Sequence, residues 1–409
     1  MPESADFEIL DTLELAEGKR LSIVRTAGLL AAWAMVRNSD GAWQRAVPGD
    51  GASEALLGLL ADVPDGARLG RFTVRSWTRR VPTGERAMGV DQTNESVIVG
   101  TEDQGAVVKW ATHLQDGPHP APRRITVLRD AGFDGMPTPW GLITWQPVGA
   151  ETTLAVSVDE YLPGAVDGWT WAVDLITVAA RDADPDPVLT AVAEVGRTIA
   201  GLHSALAGTV ARASQGDAQR WRDSALDTLE TACRVSDSAS AAVLSARRSA
   251  IEAAMDDLGA LAGTPVIEGH GDLHVGQVLR TAAGFVVTDF DGNPVLPAAQ
   301  RVLPIPAALD VAGLVQSLVH VGIVARKYTP LDSGALADVE RHARGAFLAA
   351  YQGRLAELGH TDLYDPTPLR AFRMQQVLRE IIYAANHLPR WSYVPDAALP
   401  ALLDEGISP

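Results

Sequence analysis

Cysteine is all but absent, with Cys233 the single thiol in 409 residues. One thiol excludes an intramolecular disulfide and a cysteine-built zinc site. It sits in an Ala-rich helical stretch and reads as a small apolar residue. Lysine is nearly as scarce: of 34 basic residues only Lys19, Lys109 and Lys327 are lysines. Arginine is the default cation of this chain, so a lysine inside an apolar strand asks for a reason. Positive charge is also outnumbered, 34 basic against 51 acidic residues for a net charge of -17. A field of that sign disfavours nucleic acid and anionic membranes as partners. No segment is expected to reach the run of about 20 apolar residues that spans a bilayer. The opening MPESADFEILDTLE carries no signal-peptide pattern, so the expected compartment is the cytoplasm. A hydrophobic share of 47% with 21% charged residues excludes a disordered chain. Nothing in the sequence sets an oligomeric state.

What is present divides the chain in three. Residues 1–90 read as a small β-rich cap, with strands at 21–25, 32–37 and 71–79 and a short helix at 53–61. Residues 91–165 stay β-rich: SVIVG (96–100) and AVVKW (106–110) form a hairpin pattern, a short helix is expected at 123–131, and TLAVSVDEY (153–161) is another strand. Residues 166–409 turn helical, with helical periodicity at 189–207, 219–233, 240–262, 307–326, 333–357 and 366–388. One β-like break, 264–296, interrupts them. The fold class is α+β, two-lobed, with an N-terminal cap.

The densest polar cluster lies inside that break. It runs Glu268-Gly269-His270-Gly271-Asp272-Leu273-His274-Val275-Gly276-Gln277, then Val286-Val287-Thr288-Asp289-Phe290-Asp291-Gly292. Phosphorylating a hydroxyl needs a carboxylate beside the attacking oxygen and oxygen ligands that hold magnesium against phosphates. Asp272, the amide of Gln277 five residues on, and Asp289 after an apolar strand supply those three groups.

HGDLHVGQVL (270–279) followed by VVTDFDG (286–292) resembles the catalytic core of aminoglycoside-phosphotransferase-like kinases, and within them actinobacterial maltokinases and the related glucosamine kinases. The resemblance implies a protein-kinase-like fold, ATP as co-substrate and Mg2+ as cofactor. It makes Asp272 the catalytic base and Gln277 and Asp289 the metal ligands. Asp291 stands where maltokinases usually have Glu and is a candidate sugar contact. DQTNESVIVG (91–100) and AVVKW resemble the nucleotide-covering hairpin and its strand lysine, so Lys109 would meet the phosphates as a point charge. No G-x-G-x-x-G loop is present, and phosphate cover falls to backbone amides, Asn94 and Ser96. DEYLPGAVDGW (159–169) resembles the linker whose backbone, at Glu160 and Leu162, bonds adenine. DVAGL (310–314) resembles the helix behind the site, with Asp310 bracing the catalytic loop. Where relatives place a Glu to pair with the strand lysine, this chain has Arg123.

REIIYAANHLPRW (379–391) keeps the Tyr and Trp of the maltokinase pattern Y-E-A-R-x-x-P-x-W but has Ala384 and Asn386 in place of its Glu and Arg. Those changes argue against maltose and resemble the glucosamine-kinase branch. The expected acceptor is glucosamine, phosphorylated at its 6-hydroxyl, with maltose phosphorylated at its anomeric hydroxyl as the alternative. Asp291 and Glu380 are candidates for an ammonium group, and Trp391, Tyr383 and His274 for the sugar.

Blander readings stand beside these. His270-x-Asp272-x-His274 has the look of a hydrolase ligand set, but Gln277 and Asp289 have no role in one. His270 reads better as a structural histidine, and His203 as helix packing. Lys109 on an edge strand would be a solubility charge. Glu380 on an amphipathic helix would by default be solvated. Trp33, Trp43 and Trp77 read as core or interface residues of the cap. A non-catalytic kinase-like regulator would normally lack one of Asp272, Gln277, Asp289 and Lys109, and all four are present.

Overall fold

The computed structural model describes residues 7–89 and 95–405. Two compact units emerge. The first comprises Met1–Asp130, Met136–Gly164 and Phe290–Leu303. The second comprises Ala131–Gly135, Ala165–Asp289 and Pro304–Pro409.

In the first unit, Phe7–Ala16, Lys19–Thr26, Leu29–Arg37 and Trp43–Arg45 form a four-stranded antiparallel sheet in chain order. A seven-stranded sheet follows, ordered Ala67–Leu69, Phe72–Ser76, Pro139–Trp145, Thr153–Glu160, Ala106–Trp110, Glu95–Val99, Glu85–Ala87. This sheet draws strands from both sides of residue 90. Pro139–Trp145 is buried at every position, which is why it shows no alternation of polar and apolar residues in sequence. Helix Ala52–Asp62 packs Leu56, Leu57 and Leu60 into the same core with no exposed surface, each contributing about 1.5–3 kcal/mol by burial. Its N-terminal amides are satisfied from a distance: Glu85 accepts from Gly49, Gly51, Ser53 and Glu54 at 2.8, 2.9, 2.6 and 3.0 Å. One carboxylate thereby holds the helix start and the edge strand Glu85–Ala87 together.

Trp33, Trp43 and Trp77 are half-buried rather than core. Arginines cover them: Arg45 lies 4.8 Å over Trp33, Arg20 3.9 Å over Trp43, and Arg129 5.0 Å over Trp77. The abundant arginine thus serves as an aromatic lid on this sheet.

The second unit is helical around two short antiparallel strand pairs, one of them a hairpin. Val278–Thr281 pairs with Gly284–Val287, and Ala211–Arg212 with Pro265–Val266. Helix Ala307–Tyr328 runs through its interior, buried from Ala307 to Gly322 at every position but Leu309. Its mean hydropathy of 1.7 over a membrane-length window corrects the expectation that no segment reaches that length. Inside the fold, the same apolar surface is covered by the surrounding helices.

Candidate active site

Four constraints shape the loop that carries Asp272, and three come from one face of helix Ala307–Tyr328. Asp310 accepts the His270 amide at 2.7 Å and the Gly271 amide at 2.8 Å. Gly313 lies against the Leu273 carbonyl, where a Cβ would come within 2.2 Å. Ser317 Oγ accepts the Val275 amide at 2.9 Å. These residues are spaced i, i+3, i+7, one stripe of an α-helix. The fourth constraint is His270, whose Nδ1 accepts the Asp272 amide at 3.3 Å while Nε2 donates to the Thr288 carbonyl at 2.9 Å. His270 is therefore a structural histidine of this loop.

Thr288 joins the two halves of the site. Its carbonyl holds His270, and its amide donates to the Gln277 carbonyl at 2.9 Å. The next residue, Asp289, has φ 67°, a left-handed conformation that Asp tolerates better than most residues and that still carries strain. The result is a contact between predicted metal ligands: Gln277 Nε2 donates to Asp289 Oδ2 at 3.2 Å. His274, half-buried, accepts the Gly276 amide on Nδ1 at 3.1 Å.

Electrostatics separates the carboxylates. Burial pushes the Asp272 carboxyl above the usual carboxylate range; His274 and Arg379 oppose the rise, and the negative charges of Asp289 and Asp310 add to it. Burial lowers His274 below the ordinary imidazole value, with Asp272 opposing. Burial would also raise Asp310, but the His203 hydrogen bond, electrostatic interaction with His203 and His270, and the Gly271 amide hold it below the usual range. His203 Nε2 lies 3.3 Å from Asp310, and its Nδ1 lies 2.8 Å from Tyr351 Oη. His203 is thus more than helix packing: it supports the residue that braces the loop.

Glu380 and Trp391 meet directly. Trp391 Nε1 donates to Glu380 Oε2 at 2.9 Å, and Gln376 Nε2 to Oε1 at 3.4 Å. Burial raises the Glu380 carboxyl, the two hydrogen bonds oppose it, and the charge of Asp272 raises it further. A freely solvated Glu380 is therefore excluded. Arg379, its neighbour on helix Leu369–Asn386, carries a guanidinium whose charge reaches Asp272. Tyr383 on the same helix is 48% exposed and packs on His387 at 5.5 Å.

The remaining predicted residues belong to the first unit. Lys109 occupies an interior strand of the seven-stranded sheet, which removes the edge-strand alternative. Its ammonium lies 3.4 Å from Asp159 on the neighbouring strand. Ser96 stands opposite Lys109 in the hairpin register; Asn94 lies outside the described residues. Glu160 donates its amide to the Thr138 carbonyl at 2.8 Å, while the Leu162 backbone makes no hydrogen bond among the described residues. Asp291 is half-buried, with His119 Nε2 3.9 Å away. Helix Ala121–Asp130 reaches the segment that follows it: Arg124 donates to the Phe290 and Arg301 carbonyls at 3.0 and 2.9 Å.

Sequence reasoning missed Arg379, Arg124 and Ser317. Arg379 stands directly before Glu380 and offered the one available signal, an arginine inside the resembled segment. Arg124 and Ser317 act through backbone groups far away in the chain.

Among the described residues no group of three or more His, Cys, Asp or Glu is placed to hold a metal ion. Gln277 and Asp289 form a smaller donor set, one amide and one carboxylate.

No protein-family profile matches the chain. It is 60% identical over 400 residues to a glucosamine kinase of Mycolicibacterium smegmatis, covering 98% of this chain and 99% of that protein. A glucosamine kinase of Streptacidiphilus jiangxiensis is 44% identical over 405 residues, covering 96% and 90%. Among solved structures, a glucosamine kinase in complex with glucosamine, ADP and inorganic phosphate superposes with a TM-score of 0.87 at 41% identity, covering 98% of this chain and 96% of that one.

Proposed function

The chain belongs to the glucosamine kinase family, and from that premise we propose that it transfers the γ-phosphoryl group of ATP to the 6-hydroxyl of glucosamine. The observation that carries the chemistry is the braced loop that presents Asp272 together with the Gln277–Asp289 pair at 3.2 Å. Maltose, the alternative acceptor, has no comparable support, because the relatives at 60% and 44% identity are both glucosamine kinases.

In this reading Asp272 orients the acceptor hydroxyl and takes its proton. Its raised pKa makes it a better acceptor than an exposed aspartate at the moment of transfer. Gln277 and Asp289 fit magnesium, which takes few protein ligands and keeps its other positions for water and phosphate oxygens. As a ligand Gln277 would present its amide oxygen; its nitrogen now faces Asp289. Bound magnesium would offset charge on the phosphates. Lys109, held by Asp159, would meet the nucleotide phosphates as a point charge, with Ser96 and Asn94 as cover and the Glu160 and Leu162 backbone for adenine. Glu380, with Asp291, would take the ammonium group, and Trp391, Tyr383 and His274 the sugar. The transition state is loose, so positioning and electrostatics supply most of the rate. Cytoplasmic ATP would be the donor.

ATP consumption in the presence of magnesium, measured with glucosamine, glucose, N-acetylglucosamine, maltose and an aminoglycoside, tests this reading. Turnover with glucosamine well above glucose is the expected result. Turnover with maltose alone would overturn the acceptor, and silence across the panel would overturn the assignment as a kinase of these sugars.

A further inference from the structure

Trp169 stands where the loop of the metal ligands meets the Glu380–Trp391 pair. The backbone places it there. Asp167 caps helix Gly168–Asp182, accepting from the Thr170 amide at 3.1 Å, so Trp169 lies in a fixed first turn. That turn is docked on the strand following Gln277. The Val166 and Arg280 backbones exchange hydrogen bonds of 2.9 Å, and Trp171 Nε1 donates to the Val278 carbonyl at 2.8 Å. Gly168 fits so closely that a Cβ would lie 1.7 Å from the Val275 carbonyl oxygen. The Trp169 ring then meets the loop itself: a Cβ on Gly276 would lie 2.8 Å from Trp169 Nε1, and the ring centroid is 6.3 Å from that of His274.

The same ring meets Trp391 edge to face, with centroids 5.6 Å apart and planes at 82°. Two indoles at a right angle make an aromatic corner, of which Trp391 already holds Glu380. Four other indole N–H groups are used internally: Trp110 donates to Ser53, Trp145 to Asp11, Trp171 to Val278 and Trp391 to Glu380. The Trp169 N–H makes no hydrogen bond among the described residues, and its side chain is half-exposed. An unused donor on a rigid ring, packed against the indole that holds a buried carboxylate, suits a ligand with an apolar ring face and hydroxyl acceptors.

Resting on the function proposed above, we infer that Trp169 is a specificity-determining wall of the acceptor site: its face packs on the sugar ring and its indole N–H donates to a sugar hydroxyl. Trp391 and Trp169 together would then fix the ring orientation that presents the reacting hydroxyl to Asp272.

The experiment compares Trp169→Phe and Trp169→Ala with the wild type, measuring kcat and KM separately for glucosamine and for MgATP, with thermal melting as a fold check. Trp169→Phe keeps a ring and loses the donor, and should raise KM for glucosamine about 5-fold. Trp169→Ala loses both and should raise it about 30-fold, with KM for MgATP within about 2-fold of wild type in each variant, a change smaller than one ordinary hydrogen bond. An equal rise in both KM values would mean that Trp169 only braces the loop at Gly276, and would overturn the inference. Unchanged KM for glucosamine in Trp169→Ala would overturn it as well. A wild-type enzyme without glucosamine turnover would instead overturn the proposed function and take this inference with it.

Discussion

In the proposed reaction Asp272 carries the proton transfer, and its surroundings would set the pH at which it works. A base acts deprotonated, so a carboxyl raised by burial puts the acidic limb of kcat above the usual carboxylate range. Arg379 opposes that rise through its charge. Arg379→Met removes a cation that favours the carboxylate, and the acidic limb should move to higher pH; a pH profile of kcat that shifts down or stays fixed would refute the coupling. Asp272→Asn should lower kcat on the order of 10²–10⁴-fold with little change in melting temperature. Single-turnover transfer near the wild-type rate would remove Asp272 from the role of base. Asp289→Asn should raise the magnesium concentration needed for half-maximal activity, read from a magnesium titration at fixed ATP. Asp272, Gln277 and Asp289 were legible in sequence because they sit within 18 residues of one another, and their spacing is set by a loop and a hairpin. Arg379, His203 and Trp169 were not, since each looks like an ordinary helix residue until the fold brings it to the loop.

At the scale of elements, helix Ala307–Tyr328 shows why one residue of a brace was readable and its partners were not. Asp310 stood out as a carboxylate in an apolar run, whereas Gly313 and Ser317 are small residues that any packed helix would carry. Their role comes from facing backbone groups of the loop, which sequence periodicity does not encode. Strand Pro139–Trp145 went unread for a related reason. It is buried on both faces, so its apolar run carries no period of two. The hairpin Glu95–Val99 with Ala106–Trp110 was readable from its short apolar runs and the polar, Gly-containing turn between them. Asp310→Asn should destabilise the protein by about 3 kcal/mol, because two loop amides and His203 lose a buried anion. The folded-state pKa of Asp310 lies below the unfolded value, so its stabilisation is complete at neutral pH and is lost as pH falls through the folded value. The variant should therefore melt lower at neutral pH and lose less stability than wild type on acidification. Parallel melting curves from neutral to acid pH would contradict that account.

The whole molecule adds a long-range field. A net charge of -17 with arginine scattered among acids surrounds the protein with negative potential. Its two proposed substrates carry opposite signs: protonated glucosamine is a cation and MgATP an anion. The field concentrates the first and repels the second, and salt weakens both effects as the Debye length falls from about 30 Å at 0.01 M to about 8 Å at 0.15 M ionic strength. Raising salt over that range should increase KM for glucosamine and decrease KM for MgATP, each about 2- to 3-fold, the modest size expected of screened exposed charges. Any slow turnover of neutral glucose provides the internal control, since its KM should not respond to ionic strength. Opposite slopes for the two charged substrates, with a flat line for glucose, separate a field effect from a salt effect on the fold, which would move all three in the same direction.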